Sequence, residues 1–165
     1  MSIQTAALHK AVASVWSSSG LENGFKQYWP TADKTKYLSL NDGEASPGTP
    51  FPYCVFETSI GTVTNRMSGG RNRKYMIRDI PWMFHIFTSE TQDKSAKEYA
   101  AFLAEAVMMV YGGIPGLIKP QQLTMDNGSA INMQFSGDYG LRVGDSEHRW
   151  TVEYLIKTDQ PIAVI

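Results

Sequence analysis

The stretch KYMIRDIPWMFHIFTSETQDKSAKEYAAFLAEAVMMVYGG, residues 74–113, holds the two periodicities that decide the fold. Between Lys74 and Thr88, Ile80, Trp82, Phe84 and Ile86 recur on one parity, the period of two that buries one face of a β-strand. Between Asp93 and Tyr111 the period becomes helical. Ala96, Tyr99, Ala100, Leu103, Val107 and Val110 form one stripe, while Lys94, Lys97, Glu98 and Glu105 lie mostly off it. Ser95 followed three residues later by Glu98 has capping-box spacing, with Thr91 or Asp93 able to cap a longer helix. Gly112-Gly113 and then Pro115 end the helix, because glycine accepts positive φ and proline cannot continue the hydrogen-bond ladder. A half-buried strand followed by an amphipathic helix predicts a sheet covered by a helix.

Upstream, Leu8, Ala11, Val12, Val15 and Trp16 line one face of a helix over residues 4–17, and Ser17-Ser18-Ser19-Gly20 stops it. From Leu21 to Pro52 periodicity is lost among turn signals, Asn41-Asp42-Gly43 and Pro47-Gly48 included. This predicts a long surface loop, with a short strand near Lys36 to Leu40, that serves as a contact region. Tyr53 to Thr64 alternates like a strand, and Met67-Ser68-Gly69-Gly70-Arg71-Asn72-Arg73 reads as the tip of a long hairpin leading into Lys74 to Thr88. Pro81, without an amide hydrogen, is expected at a sheet edge or a bulge. Downstream, strands are expected at Gln121 to Met125, Ser129 to Ser136 and Arg149 to Thr158, with Gly137 to His148 as a loop. The fold class is α+β: one domain over residues 1–165, a mainly antiparallel sheet with two helices packed on one face.

Composition bounds the chemistry. With 165 residues the chain is long enough to bury about 70% of its unfolded surface in one core, and 42% hydrophobic against 19% charged residues excludes a disordered or coiled-coil chain. A net charge of −1 gives no general attraction to polyanions. The lone Cys54 forms no internal disulfide, so a reducing cytosol is the default compartment, and neither a signal peptide nor a membrane span is expected. His9, His85 and His148 share no metal-ligand spacing with one another or with Cys54, so no metal or cofactor is expected. Cys54 reads as a small buried hydrophobe. His85 lies mid-strand on the parity opposite the apolar stripe, which suits a surface or hydrogen-bonded structural role. The nucleophile elbow and the phosphate-binding glycine loops are absent, and the loop acids Asp126, Asp138 and Asp145 carry no specific signal of paired-carboxylate chemistry. No catalytic residue is assigned.

One charge asymmetry stands out. Residues 61–78 hold Arg66, Arg71, Arg73, Lys74 and Arg78 and no acid, a local +5 that leaves −6 on the rest of the chain. Those five side chains are candidates for a subunit interface, for sequence-independent contact with DNA phosphates, or for a solvated hairpin. With Tyr75 the only aromatic inside the run and Tyr53 at a distance, a base-stacking platform is not evident.

The order of these elements resembles the tail completion proteins of tailed phages, also called tail terminator or head-tail joining proteins. The resemblance rests on the short N-terminal helix, Pro50, Pro52, Tyr53, Val55 and Phe56 leading into a strand, the glycine-rich link, the aromatic-alternating second strand, the alanine-rich helix and the final aromatic strand. It runs most clearly from Pro50 to Gly112 and from Leu123 to Thr158. It implies a structural, non-catalytic subunit that forms a ring with itself, commonly a hexamer, caps the tail tube and meets the head connector or neck proteins. The expected location is then the virion tail, reached through the host cytoplasm during assembly. Arg66, Arg71, Arg73 and Lys74 would face either the neighbouring subunit or a lumen through which DNA passes. Three other readings compete: a neck adaptor or tail-tube subunit, a small-ligand-binding or hydrolytic α+β domain with a pocket lined by Trp82, Phe84 and Trp150, and a DNA-binding module.

Overall fold

The computed structural model describes residues 3–19, 21, 38–49, 51–58, 62–68, 75–90, 95–114, 116–124 and 130–161. Two helices are seen among them, α1 (Ile3–Ser18) and α2 (Ala96–Tyr111), with strands β1 (Ser39–Asp42), β2 (Tyr53–Thr58), β3 (Thr62–Ser68), β4 (Tyr75–Ser89), β5 (Gln122–Thr124), β6 (Ala130–Arg142) and β7 (Glu147–Pro161). The strands form one sheet in the order β1-β2-β4-β7-β6-β5, with β3 also paired to β4. Every pairing is antiparallel except β1 with β2, so the α+β class holds with one parallel pair added.

Both helices cover the same face. Trp82, Phe84 and Ile86 of β4 are fully buried together with Cys54 and Phe56 of β2 and Val152, Tyr154 and Ile156 of β7, against Leu8, Val12 and Trp16 of α1 and Leu103, Val107 and Tyr111 of α2. The Trp16 and Tyr111 rings both stack on Phe84, with centroids 5.7 and 5.0 Å away. Buried hydroxyls and an indole N–H then bind the layers to one another: Tyr111 Oη donates to the Val12 carbonyl at 2.8 Å, Tyr154 Oη to that of Gly112 at 3.1 Å, and Trp16 Nε1 to that of Leu38 at 3.2 Å. Burial pushes the Tyr111 and Tyr154 hydroxyls well above the ordinary tyrosine range, and Tyr99 up to about 12.

The caps of α2 follow the sequence. Ser95 is the N-cap, its Oγ accepting from the Glu98 N–H, and Gly112 is the C-cap at φ 63°, its N–H donating to the Met108 carbonyl. Gly113, at φ 72°, passes so close to β6 that an added Cβ would collide with the Met133 carbonyl oxygen. At the end of α1, the Ser18 and Ser19 hydroxyls donate to the carbonyls of Val15 and Trp16 in the last turn, the Val15 carbonyl also accepting from the Ser19 N–H.

Three expectations are corrected and a fourth is adjusted. Residues 53–64 are not one strand: β2 ends at Thr58 and β3 begins at Thr62, and the two pair in succession along the same flank of β4. Pro81 lies on the central strand rather than an edge, at the position where that flank passes from β2 to β3, with its carbonyl accepting from Thr58 Oγ1 at 2.9 Å. Gly137 to His148 is mostly strand, since β6 runs to Arg142 and β7 starts at Glu147. A register shift between Phe135 and Gly137, where β6 has one residue more than β7, moves the odd-numbered residues Tyr139 and Leu141 to the face away from the helices. In the 21–52 connection the short strand expected near 36–40 includes Ser39 and Leu40 and runs on to Asp42, parallel to β2, and residues 22–37 lie outside the described ones.

Candidate functional site

The parity that buries Trp82 and Phe84 turns the alternate residues of the same strands to the other side of the sheet, where neither helix lies. On that face Tyr53 of β2 pairs with Phe87 of β4, their rings stacked with centroids 5.0 Å apart. Val55 pairs with His85 and Glu57 with Met83. On the other side of β4, Thr151 of β7 adjoins His85, Glu153 adjoins Met83, and Tyr139 of β6 comes next to Thr151. The central part sinks into an open depression of about 460 Å³, lined by Glu44, Tyr53, Glu57, His85, Phe87 and Arg149 among others.

His85 anchors this face. Its Nδ1 is 2.8 Å from Thr151 Oγ1 and its Nε2 is 3.1 Å from Glu57 Oε2, so one imidazole bridges β2, β4 and β7. An ionised carboxylate only accepts, so Nε2 carries the proton and donates to Glu57, which in the neutral ring leaves Nδ1 to accept from the Thr151 hydroxyl. Hydroxyl, imidazole and carboxylate in a row are the components of an activated nucleophile. Thr151, however, has no exposed surface, so its oxygen offers no approach to a substrate. Of the two placements expected of His85, at the surface or hydrogen-bonded, the structure shows it buried and hydrogen-bonded. Cys54 is also fully buried, on the helix side, where burial pushes its thiol well above the ordinary range and away from the reactive thiolate.

The electrostatics of the face lean negative. Glu44 and Glu57 line the depression, and Glu153 adjoins Met83 on the other side of β4 from Glu57. The Tyr53 hydroxyl is pushed up first by partial burial and then by the negative charge of Glu147. Arg149 lies within this acidic surround, and its Nε is buried with no hydrogen-bond partner among the described residues.

Beside the face, β6 forms an edge. β5 covers it only at residues 130–132 and the Phe135 N–H reaches the Gly113 carbonyl, so residues 136–142 have no strand on that side among those described. Tyr139, Leu141 and Val143 are 45%, 49% and 42% exposed along this ribbon. A second, smaller depression of about 280 Å³ lies between the start of α2 and the β6–β7 turn, lined by Lys97, Arg142, Asp145 and His148 among others. There the His148 imidazole is pulled below its usual range by burial and then by the charge of Lys97.

Of the sequence-derived site residues, Arg66 lies on β3 and Arg78 on β4, where Arg78 pairs with Val63. Arg71, Arg73 and Lys74 lie outside the described residues, between Ser68 and Tyr75, which pair with each other. The pocket of the competing ligand-binding reading, lined by Trp82, Phe84 and Trp150, is not seen among the described residues. Trp82 and Phe84 are wholly buried in the core, and Trp150 donates through Nε1 to Asp138 Oδ2 at 2.9 Å. Sequence reasoning missed the cluster of Tyr53, Glu57, Phe87 and Arg149. Its only signal was the alternation of the strands, which says that a second face exists but not whether anything covers it.

Among the described residues no helix is long and apolar enough to cross a membrane, and no three His, Cys, Asp or Glu side chains gather where they could hold a metal ion. No protein-family model matches the chain, and no curated protein matches it. Among solved structures, one chain of uninformative name is 12% identical, over 94% of this chain and 98% of its own, with a TM-score of 0.45.

Proposed function

We propose that this protein is a structural subunit of a phage or prophage tail, a completion protein that associates head to tail into a ring, caps the tail tube and joins it to the head connector. The observation that carries this is the sheet face that no helix or strand covers among the described residues. Tyr53, Met83, Phe87 and Tyr139 reach solvent on one side of a sheet whose other side two helices seal. Leu141 and, beyond the strand end, Val143 continue that apolar surface along a β6 edge whose residues 136–142 have no neighbouring strand among the described residues. Soluble monomers ordinarily blunt such edges and cover such faces, because both invite another chain. The element order and the basic run of residues 61–78 support the same conclusion, with the tail tube, the head connector and passing DNA as further contacts. No catalytic step is assigned to any residue.

The test is native mass by light scattering over a wide concentration range, with negative-stain imaging of the heaviest species. Rings near six times the 18.4 kDa chain mass are expected. A strict monomer at every concentration, with or without purified tail tubes, would overturn the proposal. Open-ended tubes would favour a tube subunit instead. The depression beside His85 favours one second reading, a ligand-binding domain, which predicts a small molecule retained in native mass spectra.

A further inference from the structure

We propose that the edge of β6 from Asp138 to Arg142 pairs antiparallel with the same edge of a second copy of this chain, about a two-fold axis at Gly140. This contact is separate from the ring proposed above, uses the strand edge rather than the sheet face, and does not depend on it. Residues 138–142 are exposed, and no strand lies on that side of them among the described residues. The Val143 N–H donates to the Glu147 carbonyl at 3.3 Å, and an antiparallel strand turns the backbone groups of successive residues to opposite sides. Tyr139 and Leu141 share the phase of Val143 and bond to β7, so Asp138, Gly140 and Arg142 turn their N–H and carbonyl groups outward. At the other end the register shift after Phe135 closes the run, since the Phe135 N–H is already taken by the Gly113 carbonyl.

The side chains select both the partner and the register. Pairing about Gly140 sets Asp138 opposite Arg142 of the second copy and Gly140 opposite Gly140 of the second copy, and each such pair of outward-facing residues exchanges two backbone hydrogen bonds. Between them Tyr139 meets Leu141 of the second copy at the closer, non-hydrogen-bonded position, covering two side chains that are exposed in the single chain. Asp138 engages only Oδ2, on Trp150 Nε1, and Arg142 only Nε and Nη2, on Gly144 and Asp145, which leaves Oδ1 and Nη1 unpaired among the described residues for a cross-strand ion pair. The other registers that keep the outward groups facing one another lose this match. Centring on Asp138 or on Arg142 opposes like charges, and centring on Tyr139 or Leu141 sets the charged residue against Gly140. A self-complementary edge is isologous, so the contact closes on two copies and does not propagate.

Four variants of the full chain test this, with thermal unfolding to check that each is folded. Light scattering at low salt reads pairing of Asp138→Lys and of Arg142→Glu. Each alone is expected to need at least about tenfold more protein than wild type to pair, because both copies of the ion pair become repulsive. Their equimolar mixture is expected to recover wild-type pairing, because both become attractive again. The register is read by mild oxidation of Tyr139→Cys mixed with Leu141→Cys, which is expected to give covalent dimers that neither variant gives alone, Cys54 being fully buried. A wild type that never pairs, charge variants that pair as well as wild type, a charge mixture that fails to recover, or a cysteine variant that cross-links alone as readily as the mixture would each overturn the proposal. Identical single rings from wild type and both charge variants would overturn it too, and would leave the head-to-tail contact standing.

Discussion

Tyr111 Oη donates to the Val12 carbonyl at 2.8 Å, joining the last turn of α2 to the middle of α1 across 99 residues of sequence. Between them the Tyr111 ring stacks on Phe84, so one side chain holds both helices and the central strand. Tyr111→Phe keeps the stacking and removes the bond. The Val12 carbonyl also faces its own helix ladder, so the loss is expected to be about 1 kcal/mol, read as a reduced urea midpoint with unchanged slope. Phe84→Ala empties the centre of the same cluster and is expected to cost about 3–5 kcal/mol.

On the opposite face, Thr151→Val preserves shape but leaves His85 Nδ1 without its hydroxyl. A buried acceptor stripped of its donor costs about 1–3 kcal/mol, and the same urea titration measures it. Glu57→Gln should cost less than Glu57→Leu, because the amide oxygen can still accept from Nε2. Equal losses for the two would mean that the hydrogen bond contributes nothing.

The two glycines after α2 and the one at Gly116 separate backbone strain from collision. Gly113→Ala places a methyl against the Met133 carbonyl at φ 72°, whereas Gly116, at φ 77°, has nothing within 4 Å of an added Cβ. Gly116→Ala should cost about 1 kcal/mol from its positive φ alone, and Gly113→Ala clearly more, since β6 must move. Thermal melts of the pair decide it.

His148 supplies a pH dependence with a definite sign. Its folded-state pKa lies below the usual 6.5, held down by burial and then by Lys97, so the unfolded chain takes up the proton first. Stability is therefore full above about pH 6.5 and falls as pH drops through the window below it. His148→Gln should flatten the melting temperature between pH 7 and 5.5, and Lys97→Ala should reduce the effect partially. A fall of the same size in His148→Gln would assign it to other groups.

The interior was largely legible in the sequence because burial imposes a period. The stop of α2 was readable from Gly112 and its Ser95 cap from the spacing to Glu98, although the helix was read from Asp93 and α2 spans Ala96–Tyr111, and the buried faces of β4 and β7 were readable from Trp82, Phe84, Val152 and Tyr154. Val110, expected on the buried stripe, packs against the core partly buried, and Tyr111 beside it is the fully buried residue. Gly137 to His148 was misread for the converse reason. That ribbon is exposed on both sides, so its residues show no alternation, and only pairing with β7 makes it a strand.

What the sequence determined by itself is both helices, the side of each buried element that faces the core, and a concentration of positive charge over residues 61–78. Only the tertiary structure decided that β2 and β3 share one flank of β4, that Pro81 lies at their junction, and that Glu57, His85 and Thr151 meet across three strands. Periodicity records whether a side chain is buried, a local property of the chain. Which strands are neighbours, and which face stays uncovered, depends on contacts such as Glu57 with His85, 28 residues apart, and His85 with Thr151, 66 apart, which no local pattern encodes.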